Sequence, residues 1–285
     1  TLAGVLFDEV ALQPRSFVEQ ACARCSVDGS KMWFNCNPES PQHWFYKEWI
    51  CDLKRHNAIR LRFQLEDNPS LSAKIIERYK NQYTGVFYNR YILGEWCIAE
   101  GLVYEFGEDN IVDDIPTGGE YYISIDYGTQ NPFSAGLWCV LGDKSVRIKE
   151  HYYNGRAKGV QRTDEEYCDD IEELAKGYDI RKVVVDPSAS SFIASLRKRG
   201  FYIRKANNDV LDGIRKTAVY LKNGNVKIHR SCVDSIAEFG LYRWNDKATN
   251  DTVVKENDHA MDDIRYFCNT ILKNKTKHSR GELNG

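Results

Sequence analysis

The sequence predicts an α/β protein with a mixed sheet flanked by helices. Apolar runs of strand length alternate with stretches of helical period along most of the chain. Three consecutive runs, EYYISID, FSAGLWCVLG and KSVRIKEHYY, are joined by short turns, the pattern of an antiparallel meander. Two runs end in a lone aspartate, ISID at Asp126 and VVVD at Asp186. In open α/β sheets the carboxyl edge of the strands is where ligands sit.

The elements follow in order. AGVLFDEV, residues 3–10, suits a buried parallel strand ending in Asp8 and Glu9. Residues 14–25 open with Pro14 and read as a helix with Phe17, Ala21 and Cys25 on one face. KMWFNCNP is a strand stopped at Asn37-Pro38, and QHWFYKEWI is helical. IRLRFQL, 59–65, alternates apolar and basic residues and predicts a half-exposed strand. DNPSLSAKIIERYKN is a turn and a helix capped by Ser70 or Ser72. The cluster IPTGG, 115–119, marks a domain boundary. After the meander come a helix capped by Thr163, the strand RKVVV, the helix SSFIASLRKRG, the strand FYIRKA, the helix VLDGIRKTAVYLKNG, the strand NVKIHR and an acidic helix near 231–239. A polar turn, KATND, has hairpin-like flanks. A last helix spans 258–273 with a stripe of Ala260, Ile264, Phe267 and Ile271, before a basic flexible tail.

Composition sets limits. The chain has 285 residues, 42% hydrophobic and 28% charged, enough for a packed core. A net charge of −2 gives no global argument for nucleic acid, so any basic surface is local. Nine irregularly spaced cysteines, with no signal peptide, read as reduced thiols of a cytosolic chain. The single Cys22-x-x-Cys25 lacks the second pair or His-x-x-x-His a zinc site needs, and reads as incidental. No apolar run approaches the ~18–20 residues of a membrane span.

A lone buried carboxylate is expensive unless its charge is offset, and several together repel. Each aspartate has a plain reading: Asp126 caps a turn, and Asp186 opens an Asp-Pro turn. Taken with acids on the final helix, DHAMDDIRYF, they point instead to a site for divalent cations. His259 and Asp262 are three apart and share a helix face. Mg²⁺ and Mn²⁺ favour oxygen ligands. Two such ions roughly 4 Å apart clamp the attacking water and the leaving oxygen of a phosphodiester.

The strand–strand–helix order of these acids resembles the RNase H-like nuclease fold. ISIDYGTQNPF, VVVDPSASSF and NDHAMDDIRYF resemble more specifically the large terminase subunit of tailed phages and prophages. The resemblance covers nearly the whole chain. VLFDEV looks like a Walker B strand, and FNCNPESPQHWFYKEW like the family's coupling motif. It implies a C-terminal remnant of a P-loop ATPase at 1–65, a linker subdomain at 66–115, an RNase H-like nuclease domain at 116–275, and the tail at 276–285. Asp126, Asp186 and Asp262 are implied as catalytic metal ligands, with Asp263 and His259 secondary. A helical wheel places Asp263 nearer the apolar stripe, against the motif's choice of Asp262. Asp8 would hold nucleotide-bound Mg²⁺ and Glu9 would activate water, with Asn37 in the coupling motif. Arg24 is read as a surface residue rather than a motor arginine.

No Gly-Lys dipeptide occurs, so a P-loop is missing and no ATP hydrolysis is expected from this chain. Its opening inside a strand suggests a fragment of a longer protein. The resemblance implies metal-dependent endonuclease cutting of concatemeric DNA, with Mg²⁺ or Mn²⁺ as cofactor and ATP-Mg²⁺ in the full-length protein. Implied partners are double-stranded DNA, a small terminase subunit and a portal. It further implies a ring oligomer in the working motor, a monomer being the alternative for the chain alone, and a place in the host cytoplasm and transiently on the capsid. Local cations for DNA phosphates are Arg197, Lys198, Arg199, Arg204, Lys205, Arg215, Lys216, Arg243 and Lys247. Rival readings are another RNase H-like enzyme, a resolvase or transposase, and an inactive relic that binds DNA or a partner.

Overall fold

The computed structural model describes residues 1–129 and 131–272; the expected tail at 276–285 lies outside them. The chain forms two compact units, Thr1–Glu100 with Asn245–Thr252, and Gly101–Trp244 with the chain from Val253 onward.

In the first unit β1 (Gly4–Phe7) and β2 (Lys31–Phe34) pair in parallel, flanking helix α1 (Arg15–Ala23). Phe7, Val10, Val18 and Phe45 form the buried core, with further aromatic residues packed on it. Phe7 stacks on Phe34 at 5.2 Å between ring centroids, and Trp49, in a π-helical turn at Tyr46–Ile50, packs on Phe34 at 4.7 Å. Helices α2 (Ala73–Lys80) and α3 (Gly85–Tyr91) follow. Ser72 takes the N-cap position of α2 with extended backbone, although its side chain makes no capping bond.

The strand expected at 59–65 is not formed. Ile59, Leu61 and Phe63 are 90%, 73% and 73% exposed, and the segment lacks a ladder partner among the described residues. Alternation creates a strand only where a neighbour completes the hydrogen bonds.

One buried cation organises this unit. Arg90 of α3 is 1% exposed, pairs with Asp251 through both terminal nitrogens, and reaches Glu39 Oε2 at 3.2 Å and the Cys97 carbonyl at 2.6 Å. Asp251 lies on the loop Asn245–Thr252, which therefore folds with residues far from it in sequence.

The second unit holds a seven-stranded sheet of order β3-β9-β6-β5-β4-β7-β8. Its strands are β3 (Ile111–Val112), β4 (Glu120–Asp126), β5 (Phe133–Leu141), β6 (Lys144–Tyr153), β7 (Ile180–Val185), β8 (Ile203–Lys205) and β9 (Val226–His229). The expected meander β4-β5-β6 is antiparallel; β7 and β8 continue it in parallel on one side, and β9 and β3 on the other. Its helices are α4 (Gly155–Lys158), α5 (Asp164–Ala175), α6 (Ser190–Lys198), α7 (Val210–Lys222), α8 (Val233–Phe239) and α9 (His259–Phe267). Thr163 and Glu166 close a capping box on α5, as Ser/Thr-x-x-Glu spacing dictates. The polar turn after Trp244 returns through a Trp244–Val253 bridge.

Side chains alternate across the sheet. Ile123, Ile125, Val183 and Val185 turn to one face, where Tyr167 and Ile171 of α5 and Phe192, Ile193 and Leu196 of α6 complete the core. Helix α9 lies against β4 and β5. It is buried on every side rather than along one stripe, with all residues from Ala260 to Phe267 in the interior, and it runs on as a π-helical turn, Cys268–Leu272. Gly136 of β5 makes this possible: a Cβ there would overlap the guanidinium of Arg147, which reaches past it toward α9. All nine cysteines are free thiols. Among the described residues, no helix is long and apolar enough to cross a membrane.

Candidate functional site

Register brings the two strand-end aspartates together. β4 and β7 are parallel neighbours with Ile125 opposite Val185. Asp126 and Asp186 therefore leave the sheet side by side, about 5 Å apart across the hydrogen-bonding direction. Asp126 shares the face of Ser124 and meets α9, where its Oδ2 lies 3.0 Å from His259 Nδ1. One helical turn on, Asp262 is held by Arg265, and one turn further the Tyr266 hydroxyl donates to Asp186 Oδ2 at 2.9 Å. The spacing 259, 262, 266 is the i, i+3, i+7 of one helix face.

Electrostatics ties these groups into one cluster. Burial pushes the Asp126 carboxyl up to about 6; the His259 hydrogen bond opposes this, while the charges of Asp262 and Asp263 add to it. Burial alone would lower His259, but the hydrogen bond and charge of Asp126, then Asp258 and Glu238, raise it. Burial would raise Asp186, yet donors from Ser188 and Tyr266 and the charge of Arg265 hold it below the usual carboxylate range. The Tyr266 phenol is raised by burial and also by the charges of Asp126, Asp262 and Asp186.

Asp263, one residue from Asp262, does something else. It is fully buried, ion-paired with Arg147 through both nitrogens, and accepts from the hydroxyls of Ser124 and Ser134. Both oxygens are engaged by Arg147 and the two serines, where the sequence suggests a secondary metal contact. The helical wheel is right about its burial.

The hard oxygen donors of Asp126, Asp186 and Asp262 match the chemistry Mg²⁺ and Mn²⁺ prefer. A divalent charge would also offset the burial, and the lesser repulsion from Asp262 and Asp263, that raise Asp126. Among the described residues, no group of three or more His, Cys, Asp or Glu side chains is arranged to hold a metal ion. Asp262 is instead engaged by cations. Its Oδ1 accepts from Arg265 Nη2 at 2.9 Å, and its Oδ2 faces Lys255 Nζ at 3.7 Å.

In the first unit Glu9, at the exit of β1, has left-handed backbone (φ 51°), uncommon for a non-glycine residue. Its carboxylate accepts from the Asn37 side-chain amide at 2.9 Å and from the Asn37 backbone at 3.2 Å. Glu9 and Asn37 line a cavity of ≈ 400 Å³ with Glu39, Tyr79, Tyr83 and Tyr91. Asp8 is exposed.

The nine candidate DNA cations divide. Arg199 is bound into α5 through Glu165, Asp169 and Glu172. Arg215 and Lys216 pair with Asp212 on their own helix. Arg197, Lys198, Arg204, Lys205 and Arg243 make no ion pair with a described residue of the second unit; Lys247 belongs to the first. Sequence reasoning reaches Arg265 and Tyr266 only as letters of the final-helix motif. It does not reach Lys255, Arg147 or Glu238, whose carboxylate accepts from the Ala260 and Met261 amides and so caps α9. The one available signal for Arg147 is Gly136 in a strand, a mark of close approach.

Residues 1–110 match the family described as terminase large subunit, T4likevirus-type, N-terminal. The large terminase of a thermophilic bacteriophage, solved in complex with ADP, is 48% identical, matching 95% of this chain and 70% of that one at a TM-score of 0.87. Another crystal form of the same phage protein matches at 0.88. The terminase large subunit of Escherichia phage T5 is 20% identical over 300 residues, which covers 95% of this chain and 66% of that subunit. The chain thus spans 66–70% of the length of these relatives. On the match to the thermophilic phage enzyme, the protein belongs to the large terminase subunit family of bacteriophages.

Proposed function

We propose that the second unit is a divalent-metal-dependent endonuclease that hydrolyses the backbone of double-stranded viral DNA. The observation that carries this reading is the meeting of Asp126 and Asp186 at adjoining ends of β4 and β7, beneath the helix that carries Asp262. Those three carboxylates would hold the ion or ions. Bound there, Mg²⁺ or Mn²⁺ would supply Lewis acidity toward the phosphodiester and acidify water. The chain's own residues do the rest. Tyr266 fixes the Asp186 rotamer, His259 orients Asp126, and Arg265 holds Asp262 by one oxygen. Arg197, Lys198, Arg204, Lys205 and Arg243 are the cations we assign to DNA phosphates.

We assign Asp8, Glu9 and Asn37 to the nucleotide side of a packaging motor. Support comes from the Glu9–Asn37 pair on a cavity wall and from the thermophilic phage relative's complex with ADP. Cutting concatemeric DNA in the host cytoplasm, with a small subunit and a portal as partners and a ring of subunits at work, is the role we infer from the family. A resolvase or transposase fits less well, because the resemblance of the first unit to a motor has no place in those enzymes.

Plasmid nicking tests the reading. With Mn²⁺ the chain is expected to convert supercoiled plasmid to open circles, and Asp126→Ala to lose at least ~100-fold of that rate, the scale of removing one strong electrostatic contact from an active site. Intact plasmid with wild-type chain across Mg²⁺, Mn²⁺ and a range of pH would leave a DNA-binding relic as the better account.

A further inference from the structure

The two oxygens of Asp262 have different kinds of partner. Oδ1 is bound by Arg265 through Nη2 at 2.9 Å and Nε at 3.3 Å. Arg265 is 2% exposed and cannot move away: its Nη1 donates to the carbonyls of Asn208 and Asp209, and its stem lies against Gly213, where a Cβ would clash. Oδ2 faces the Lys255 ammonium at 3.7 Å. Lys255 is 64% exposed, sits just beyond the Trp244–Val253 bridge, and is steadied by Asp258 Oδ2 at 3.3 Å. One oxygen is therefore clamped, and the other is opposed by a cation on a long, flexible stem.

At 3.7 Å the ammonium is a charge partner of that oxygen, and an ammonium and a divalent ion beside the same oxygen repel one another. We infer that Lys255 is a tethered counter-cation that a divalent ion must displace from beside Asp262 Oδ2, so that this side chain weakens the affinity of the site. The inference rests on the reading of Asp126, Asp186 and Asp262 as the ligands. The chain's affinity for divalent cations is then lower than its carboxylates alone would give, and the penalty resides in one exposed residue. Displacement leaves the ammonium beside the site, with Asp258 as its remaining partner.

The test is Mn²⁺ binding to the whole chain at low ionic strength, read by titration calorimetry and by the free-Mn²⁺ signal in electron paramagnetic resonance. Lys255→Gln is expected to bind Mn²⁺ about threefold to fivefold more tightly, the fold-change equivalent of an exposed ion pair. Lys255→Arg should match wild type, and the gap should shrink in high salt as the exposed charge is screened. Asp126→Ala should lose binding. Wild type binding Mn²⁺ with Lys255→Gln equal or weaker overturns the role of Lys255 and leaves the ligand assignment standing. No binding by wild type or Lys255→Gln overturns both.

Discussion

Asp262 and Asp263 are adjacent carboxylates whose substitutions should fail in opposite ways. Asp263→Ala leaves the Arg147 guanidinium, 0% exposed, with only Glu150 at 3.8 Å as counter-charge. It also removes the acceptor of two buried hydroxyls. Breaking a buried pair by removing one partner costs about 3–5 kcal/mol, and the surviving Glu150 argues for the lower part of that range. Asp262→Asn should cost ~1 kcal/mol, because Arg265 keeps its two backbone carbonyls and the amide keeps an oxygen. Urea unfolding followed by tryptophan fluorescence suits the comparison, since Trp138, one of six tryptophans, stacks on Phe267 of α9 at 4.0 Å and contributes to the signal. Replacing both partners, as Arg147→Met with Asp263→Leu, should recover most of the loss. Mn²⁺ binding is the second axis: Asp262→Asn is expected to lose it and Asp263→Ala, assayed at a temperature where it is folded, to keep it. A stable Asp263→Ala variant that no longer binds Mn²⁺ would refute the division of labour.

Glu238 predicts a pH effect. Burial pushes its carboxyl up to about 7, against about 4.3 in an unfolded chain. The native state then holds a proton that the unfolded state has released, so its stabilising share is fully present at low pH and is lost as pH rises from about 4 to about 7. Glu238→Gln does not titrate and keeps an acceptor for the α9 amides; it should gain on wild type by up to roughly 3 kcal/mol across that window, read from urea midpoints at pH 5 and pH 8. An unchanged difference between the two pH values would contradict the buried acid. For DNA, Arg199→Ala should leave the salt dependence of binding unaltered, because its guanidinium serves α5. Arg204→Ala with Lys205→Ala should lower the slope by up to about 2; filter binding across a salt series distinguishes them.

Much of the second unit is legible in the sequence because its signals are local. The meander follows from three apolar runs at turn spacing, and the capping box from Thr163 and Glu166. The lone Asp126 and Asp186 mark strand exits that parallel pairing then sets side by side. What resists reading is what depends on a partner far along the chain. Ile59, Leu61 and Phe63 alternate like a strand, but periodicity carries no information about whether a neighbour will pair. Arg147 sits in an alternating run that looks half-exposed, and only the gap at Gly136 and the acid on α9 take it inside. Helical spacing identifies which residues share a face; it does not say that a serine pair and a guanidinium wait opposite Asp263 while Arg265 turns back on Asp262.

The loop Asn245–Thr252 sets a practical limit on dissecting the molecule. A cut after residue 100 separates the units in sequence but not in substance: the C-terminal piece would carry Asp251 away from the guanidinium of Arg90, and the N-terminal piece would keep a buried cation with only Glu39 for charge balance. Both halves would emerge with an orphan. A C-terminal piece intended to stand alone is better made with those eight residues shortened to a tight turn between Trp244 and Val253, whose bridge already holds the two ends together.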